Sequence, residues 1–376
     1  MDMELGRGPL SVSPKHALNA ICPYFTMFPL EFPLRILERR ARSAELVLDP
    51  FAGRGTTLYA ARQRGVRAIG IDCSPVAVAI ARAKLAKVST GDAVKLAQSI
   101  LAAEAEPVLP DGAFWERAFH ADTLKDICRL REGLLSMAES DAAVVLRAGI
   151  LGILHGPRTK VGSYLSNQMQ RTFAPKPDYA LRFWKKHGLT PPRVDVLGAI
   201  ERKLERVAAG RYLTSKVGWS DVHQGDSSRA DCFGGVPSGV DTVITSPPYY
   251  GMRTYVADQW LRHWFIGGPA RVEYANVGDL PSSGKDDFCE GLGRTWANVA
   301  ARAKDGMRMF IRFGSIPSRL VDARKLLLRS LEASGSRWRV VSVRNAGNAA
   351  AGKRQAGQMR DSANAVDELD FHAVLE

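Results

Sequence analysis

Apolar and polar positions follow two rhythms along this chain. In the first, Leu46–Leu48 and Ala68–Ile71 are short apolar runs that predict strands, while Thr56–Arg64 and Pro75–Ala86 carry helical spacing. A glycine-bearing turn, Asp49–Gly55, joins the first strand to the first helix. Strand, turn, helix and strand with so few linking residues predict a parallel, right-handed βαβ unit. The second rhythm fills the middle of the chain with helices, at Ala93–Ala105, Leu124–Glu139, Ala142–His155, Tyr179–His187 and Val194–Ala209. The first rhythm then returns: strand Asp241–Ile244, helix Asp287–Ala303, strand Met307–Phe313, helix Arg319–Ser334, and strands Trp338–Val343 and Glu368–Leu375. The expected class is α/β, a mostly parallel sheet with helices on both faces. Its parts are residues 1–88 (an arm and the first part of the α/β domain), a helical insertion over 89–218, and the second part over 219–376.

Composition narrows the partners. Lys and Arg exceed Asp and Glu by 13 over 376 residues, an excess that favours a polyanion, nucleic acid above all. The five cysteines are odd in number and lack C-x-x-C spacing, which argues against a disulfide scaffold or a zinc site and for a reducing, cytoplasmic setting. No metal site is expected. The longest apolar stretch, near Ala142–Leu154, is broken by Arg147, so no membrane span is expected.

Two motifs carry chemistry. In DPFAGRGTT (Asp49–Thr57), Gly53 and Gly55 admit backbone angles and close approach that a side chain would block. The amides opening the next helix, at Thr56 and Thr57, suit polar or anionic ligand groups. Asp72, at the tip of the second strand, stands where Rossmann-type sites place an acid for ribose hydroxyls, with Cys73 beside it. A third glycine is missing, so the dinucleotide pattern is not met. The bland alternative is a structural turn. Downstream, TSPPYYG (Thr245–Gly251) follows a strand directly. Two prolines end the ladder and stiffen the loop. Ser246 Oγ and the Pro247 carbonyl are acceptors for an amine, Pro248 stiffens the turn, and Tyr249 offers a flat face.

F-A-G-R-G followed by S-P-P-Y resembles the S-adenosylmethionine-dependent DNA amino-methyltransferases, which modify exocyclic amines of cytosine or adenine. The resemblance implies a Rossmann-like methyltransferase fold with a seven-stranded sheet and S-adenosylmethionine as cofactor. Phe51, Gly53 and Gly55 would hold its methionine part, with Asp49 opening the turn and Asp72 taking the ribose. HQGDSS (His223–Ser228) is similar to the family's third-strand motif, which gives Asp226 a role near the adenine; GD at Gly91–Asp92 is the alternative. CPYFTMFPLEFP (Cys22–Pro33) resembles the segment that closes over the cofactor, with Tyr24 and Phe25. Ser246, Pro247, Pro248 and Tyr249 would be catalytic. The insertion falls between Asp72 and Asp226, a departure from the usual layouts.

The implied reaction is direct transfer from the sulfonium methyl to an amine of a flipped base on double-stranded DNA. Serine at the head of the motif favours cytosine N4 over adenine N6. An RNA methyltransferase acting on guanine N2, and a non-catalytic nucleic-acid-binding protein, are the remaining alternatives. A restriction-modification setting, with a cognate restriction endonuclease, would suit such an enzyme. His155–His187 is strongly basic, and its Arg158, Lys160, Asn167, Gln168, Arg171 and Lys176 are the expected DNA contacts; a solvated charged face over a helical core is the alternative. Lys353 and Arg354 belong to a second basic stretch that would clamp DNA.

Overall fold

The computed structural model describes residues 17–24, 28–40, 45–87, 89–156, 163–167, 176–208, 220–252, 256–273, 284–316, 321–348 and 367–376. Seven strands, β1 (Leu46–Asp49), β2 (Arg67–Asp72), β3 (Ser220–Gln224), β4 (Val240–Thr245), β5 (Ala303–Phe313), β6 (Trp338–Asn348) and β7 (Asp367–Leu375), form one sheet in the order β3-β2-β1-β4-β5-β7-β6. Strands β3, β2, β1, β4 and β5 pair in parallel, whereas β7 runs antiparallel to both β5 and β6. This is the mostly parallel, seven-stranded sheet that the resemblance implied. The strand order changes direction at β1, so β1 and β4 flank the switch point where ligands bind in open α/β sheets.

The central strands show why the pattern was readable. All four residues of β1 are buried, as expected for a strand covered on both faces. The helix after β1, α2 (Thr56–Arg64), starts from Gly55 and ends on Gly65, both left-handed. The helix after β2, α3 (Pro75–Leu85), has Pro75 in its first turn, and Ser74 Oγ accepts from the Ala77 amide. A shorter helix, α1 (Glu31–Arg40), precedes the sheet.

Between β2 and β3 the described residues are helical: α3, then α4 (Thr90–Leu101), α5 (Ala113–Ala118), α6 (Ala121–Ser136), α7 (Asp141–Leu151), α8 (Pro177–Lys186) and α9 (Val196–Ala208). These helices share a core with α2, α3 and α10 (Val256–Phe265) on one face of the sheet. Phe114 and Trp115 of α5 meet Trp260 of α10 edge to face, and Phe114 also packs on Trp184 of α8. The other face is covered by α11 (Lys285–Ala300) and α12 (Ala323–Ala333). The hydrophobic pattern missed β3, α5 and α10, and β3 was indicated only by the likeness of His223–Ser228 to a third-strand motif. Strand β3 reads SDVHQ, in which only Val222 is buried, so an edge strand left no hydrophobic alternation to find.

Candidate functional site

Both motifs leave neighbouring strands at the carboxyl edge of the sheet. Val47 pairs with Thr242 and Leu48 with Val243, which brings the ends of β1 and β4 level. Side chains then stitch the two ends together. Thr245 Oγ1 donates to Asp49 Oδ1 at 2.6 Å, and Thr57 Oγ1 donates to the Ile244 carbonyl at 3.1 Å. Asp49 is fully buried and also accepts the Phe51 amide at 3.1 Å; burial lifts its carboxyl to about 6. Thr57 is thus a stitch between the two strands through its hydroxyl, while the ligand contact expected of it is through its backbone amide. Thr56 is buried at the start of α2.

The glycine turn is shaped by its neighbours. Gly53 N–H donates to Asp72 Oδ2 at 2.7 Å, and Ser74 N–H donates to Asp72 Oδ1 at 2.9 Å. Burial raises the Asp72 carboxyl to about 6 against the pull of those two amides. Gly55 has a φ of 73°, and a Cβ there would lie 2.8 Å from Ala81 Cβ on α3. Gly53 has a φ of 51°, but a Cβ there would meet nothing within 4 Å. One glycine is demanded by packing, the other faces open space. Phe51, half-buried, rests edge to face on the buried Trp296.

Two further segments, the end of β3 and the stretch at Tyr24, converge beside Asp72. The Gly225 amide donates to the Asp72 carbonyl at 2.9 Å, so Asp226 follows directly on the end of β3 next to β2. Asp226 is half-buried, and its Oδ1 accepts the Ser228 amide. Asp92, the alternative, lies in the first turn of α4 and accepts from the Ser89 hydroxyl. Tyr24 is buried with its hydroxyl hydrogen-bonded to Ser74; burial and the nearby Asp72 push the phenol well up. Cys73 is exposed at the same edge. Phe25 lies outside the described residues.

In the second motif Pro247 is buried, while Ser246, Pro248 and Tyr249 are half-buried. The Tyr249 hydroxyl donates to Glu368 Oε1 on β7 at 2.7 Å, and its ring meets Phe313 edge to face at 5.5 Å. Burial and the Glu368 carboxylate together drive the phenol far above its ordinary range. Sequence reading had no signal for Trp296 or Glu368 as parts of this site, because each reaches it through tertiary structure alone.

The expected DNA contacts fare differently. Asn167 is buried, and its Nδ2 donates to the Arg117 carbonyl at 2.9 Å and the Leu189 carbonyl at 3.4 Å. That side chain holds the insertion together, so its expected role at a base edge is corrected. Lys176 is exposed at the N-terminus of α8. Arg158, Lys160, Gln168, Arg171, Lys353 and Arg354 lie outside the described residues. Trp260, Leu261, Trp264 and Phe265 are core. Among the described residues no group of His, Cys, Asp or Glu has a metal-holding arrangement, and no helix is long and apolar enough to cross a membrane.

The residues present fit S-adenosylmethionine. Gly53 borders open space at the start of a helix, and each Asp72 oxygen takes one backbone amide, leaving lone pairs for ribose hydroxyls. Residues 10–83, which span the glycine turn and Asp72, match the family model described as DNA methylase. Over this segment, and no further, the chain is similar to the DNA methylases. The same kind of segment recurs in the Type II methyltransferase M.MjaII of Methanocaldococcus jannaschii, 38% identical over 73 residues, which are 19% of this chain and 14% of that protein. The chain therefore aligns with only a small part of that relative's length. The whole fold superposes loosely on the rRNA methyltransferase aviRa of Streptomyces viridochromogenes (TM-score 0.34, 13% identity, 94% of this chain and 87% of that one). It superposes as loosely on a SAM-dependent methyltransferase of Methanosarcina mazei (TM-score 0.34, 10% identity, 93% and 99%). Likenesses that loose carry no argument about activity. The DNA methylase match does not reach Ser246–Tyr249, so the second half of the site stands on its own geometry.

Proposed function

We propose that this chain is a DNA amino-methyltransferase that moves the methyl of S-adenosylmethionine to an exocyclic amine of a base turned out of the duplex. Cytosine N4 is the favoured acceptor, on the strength of Ser246. The observation that carries the reading is the 2.6 Å hydrogen bond between Thr245 and Asp49. It sets a loop suited to an amine beside a glycine turn suited to the cofactor, at one rim.

Bound S-adenosylmethionine would supply an electrophilic methyl on a sulfonium. The rest is the work of this chain. Asp72 and the glycine turn would orient the donor. Ser246 Oγ and the Pro247 carbonyl would accept the two amine hydrogens, which draws the nitrogen lone pair out of the ring and toward the methyl. Tyr249 would carry the base by stacking. Proximity and fixed dipoles are the sources of rate in such a site. A carbon-5 route through a cysteine nucleophile has no support, since no Pro-Cys pair occurs in the sequence. The basic excess of the chain supports duplex DNA as partner, and a cognate endonuclease would make it the protective half of a restriction-modification pair.

The test is expression of the chain in a host free of DNA methylation, followed by long-read sequencing of its DNA. N4-methylcytosine in one short motif is expected. N6-methyladenine would reverse the choice of base, and unmodified DNA alongside methylated RNA would move the substrate to guanine N2.

A further inference from the structure

Tyr249 is held in place by the far end of the chain. Strand β7 runs antiparallel to β5 with Leu369 opposite Phe313, which brings Glu368 to the rim beside Gly314. Gly314 leaves no spare room: a Cβ there would sit 3.2 Å from Tyr249 Cε2 and 3.4 Å from Glu368 Cγ. The ring is thus bounded by the Gly314 backbone, by the Phe313 ring at 82° to its plane, and by the 2.7 Å hydrogen bond from its hydroxyl to Glu368. Glu368 is buried, at 6% exposure, so solvent does not compete well for that bond. Arg312 faces the pair and is itself fixed, donating from Nε and Nη2 to Asp370 at 2.7 and 2.8 Å and lying 4.5 Å from the Phe32 ring centre.

A tyrosine on a loop has two free torsions, and a base can stack productively on only one ring orientation. An acceptor on a rigid strand removes that freedom before substrate arrives. We propose that Glu368 is a positioning residue, whose carboxylate fixes the Tyr249 ring as the platform for the acceptor base. This rests on reading the chain as an amino-methyltransferase.

The experiment uses the full chain as wild type, Glu368→Gln, Glu368→Ala, Tyr249→Phe and the Glu368→Ala/Tyr249→Phe pair. It measures kcat and KM on duplex DNA carrying the target motif, cofactor affinity by calorimetry, and thermal melting. Glu368→Ala is expected to lower kcat/KM for DNA by about ten- to a hundredfold, the scale of one hydrogen bond to a charged group, with cofactor affinity unchanged within about twofold. Glu368→Gln keeps an acceptor and is expected to stay within about threefold of wild type. Tyr249→Phe should match Glu368→Ala, and the pair should be no worse than either. A Glu368→Gln loss as large as that of Glu368→Ala, additive losses in the pair, or an indifferent Glu368→Ala in an active enzyme would each overturn the assignment alone. A wild-type chain that methylates no DNA would overturn the functional reading and take this one with it.

Discussion

The glycine turn and the Ser246–Tyr249 loop stand side by side, yet they are built in opposite ways. The turn is determined locally: Asp49 to Phe51, Gly53 to Asp72 and Gly55 to Ala81 all fall within one βαβ unit and the helix α3 that follows it. The loop begins with a local device, two prolines after a strand, but its tyrosine is oriented by Phe313, Gly314 and Glu368, which arrive from β5 and β7. A site half is legible in sequence to the extent that its constraints lie close together along the chain.

The contrast can be broken most forcefully at Gly55. Gly55→Ala must displace Ala81 and hold a left-handed backbone, so a loss of about 2–4 kcal/mol in stability is expected, read as a lower urea midpoint at unchanged slope. A loss below about 1 kcal/mol would mean that the turn yields and is not set by α3. Asp49 comes next because it belongs to both halves. Asp49→Ala strands the Thr245 hydroxyl and the Phe51 amide, at about 1–3 kcal/mol, and should weaken cofactor binding and DNA methylation together. Asp49→Asn keeps an acceptor and should cost less; equal costs would assign the effect to charge.

Gly53→Ala sharpens the comparison between the two glycines. Its methyl group enters open space, so destabilisation should stay near 1 kcal/mol, while cofactor affinity falls at least about tenfold because ligand and methyl compete for one volume. Calorimetry with S-adenosylmethionine checks it, and unimpaired affinity would move the cofactor away from Gly53. The smallest effect is on pH. With the Asp72 carboxyl lifted to about 6, it is ionised above that value and protonated below it. Cofactor affinity should hold above pH 6 and fall by up to about tenfold toward pH 5, and Asp72→Asn should flatten the profile. For stability the sign is the reverse. The buried Asp49 and Asp72 carboxyls keep their protons longer in the folded chain, so their contribution is full below about pH 4 and is lost as pH rises through about 6.

The same rule explains what was legible elsewhere. The βαβ unit and the insertion helices α4, α6, α7, α8 and α9 follow from period and punctuation. Strand β3 and the role of Asn167 did not. The first is polar because it is an edge, and the second is a buried amide in a stretch whose basic neighbours suggested a surface. Composition describes a segment, but burial is decided residue by residue, and a polar side chain turned inward looks the same in sequence as one turned out.

The insertion also sets an order of events during synthesis. Asp72, at the tip of β2, leaves the ribosome long before its neighbour after β3, and all the helices between them must emerge first. Until then β2 offers the nascent chain an unpaired edge, open to wrong partners. Closing it requires a contact of long sequence separation, which is slow to form. The rim beside Asp72 is therefore completed only after the helical block has been made.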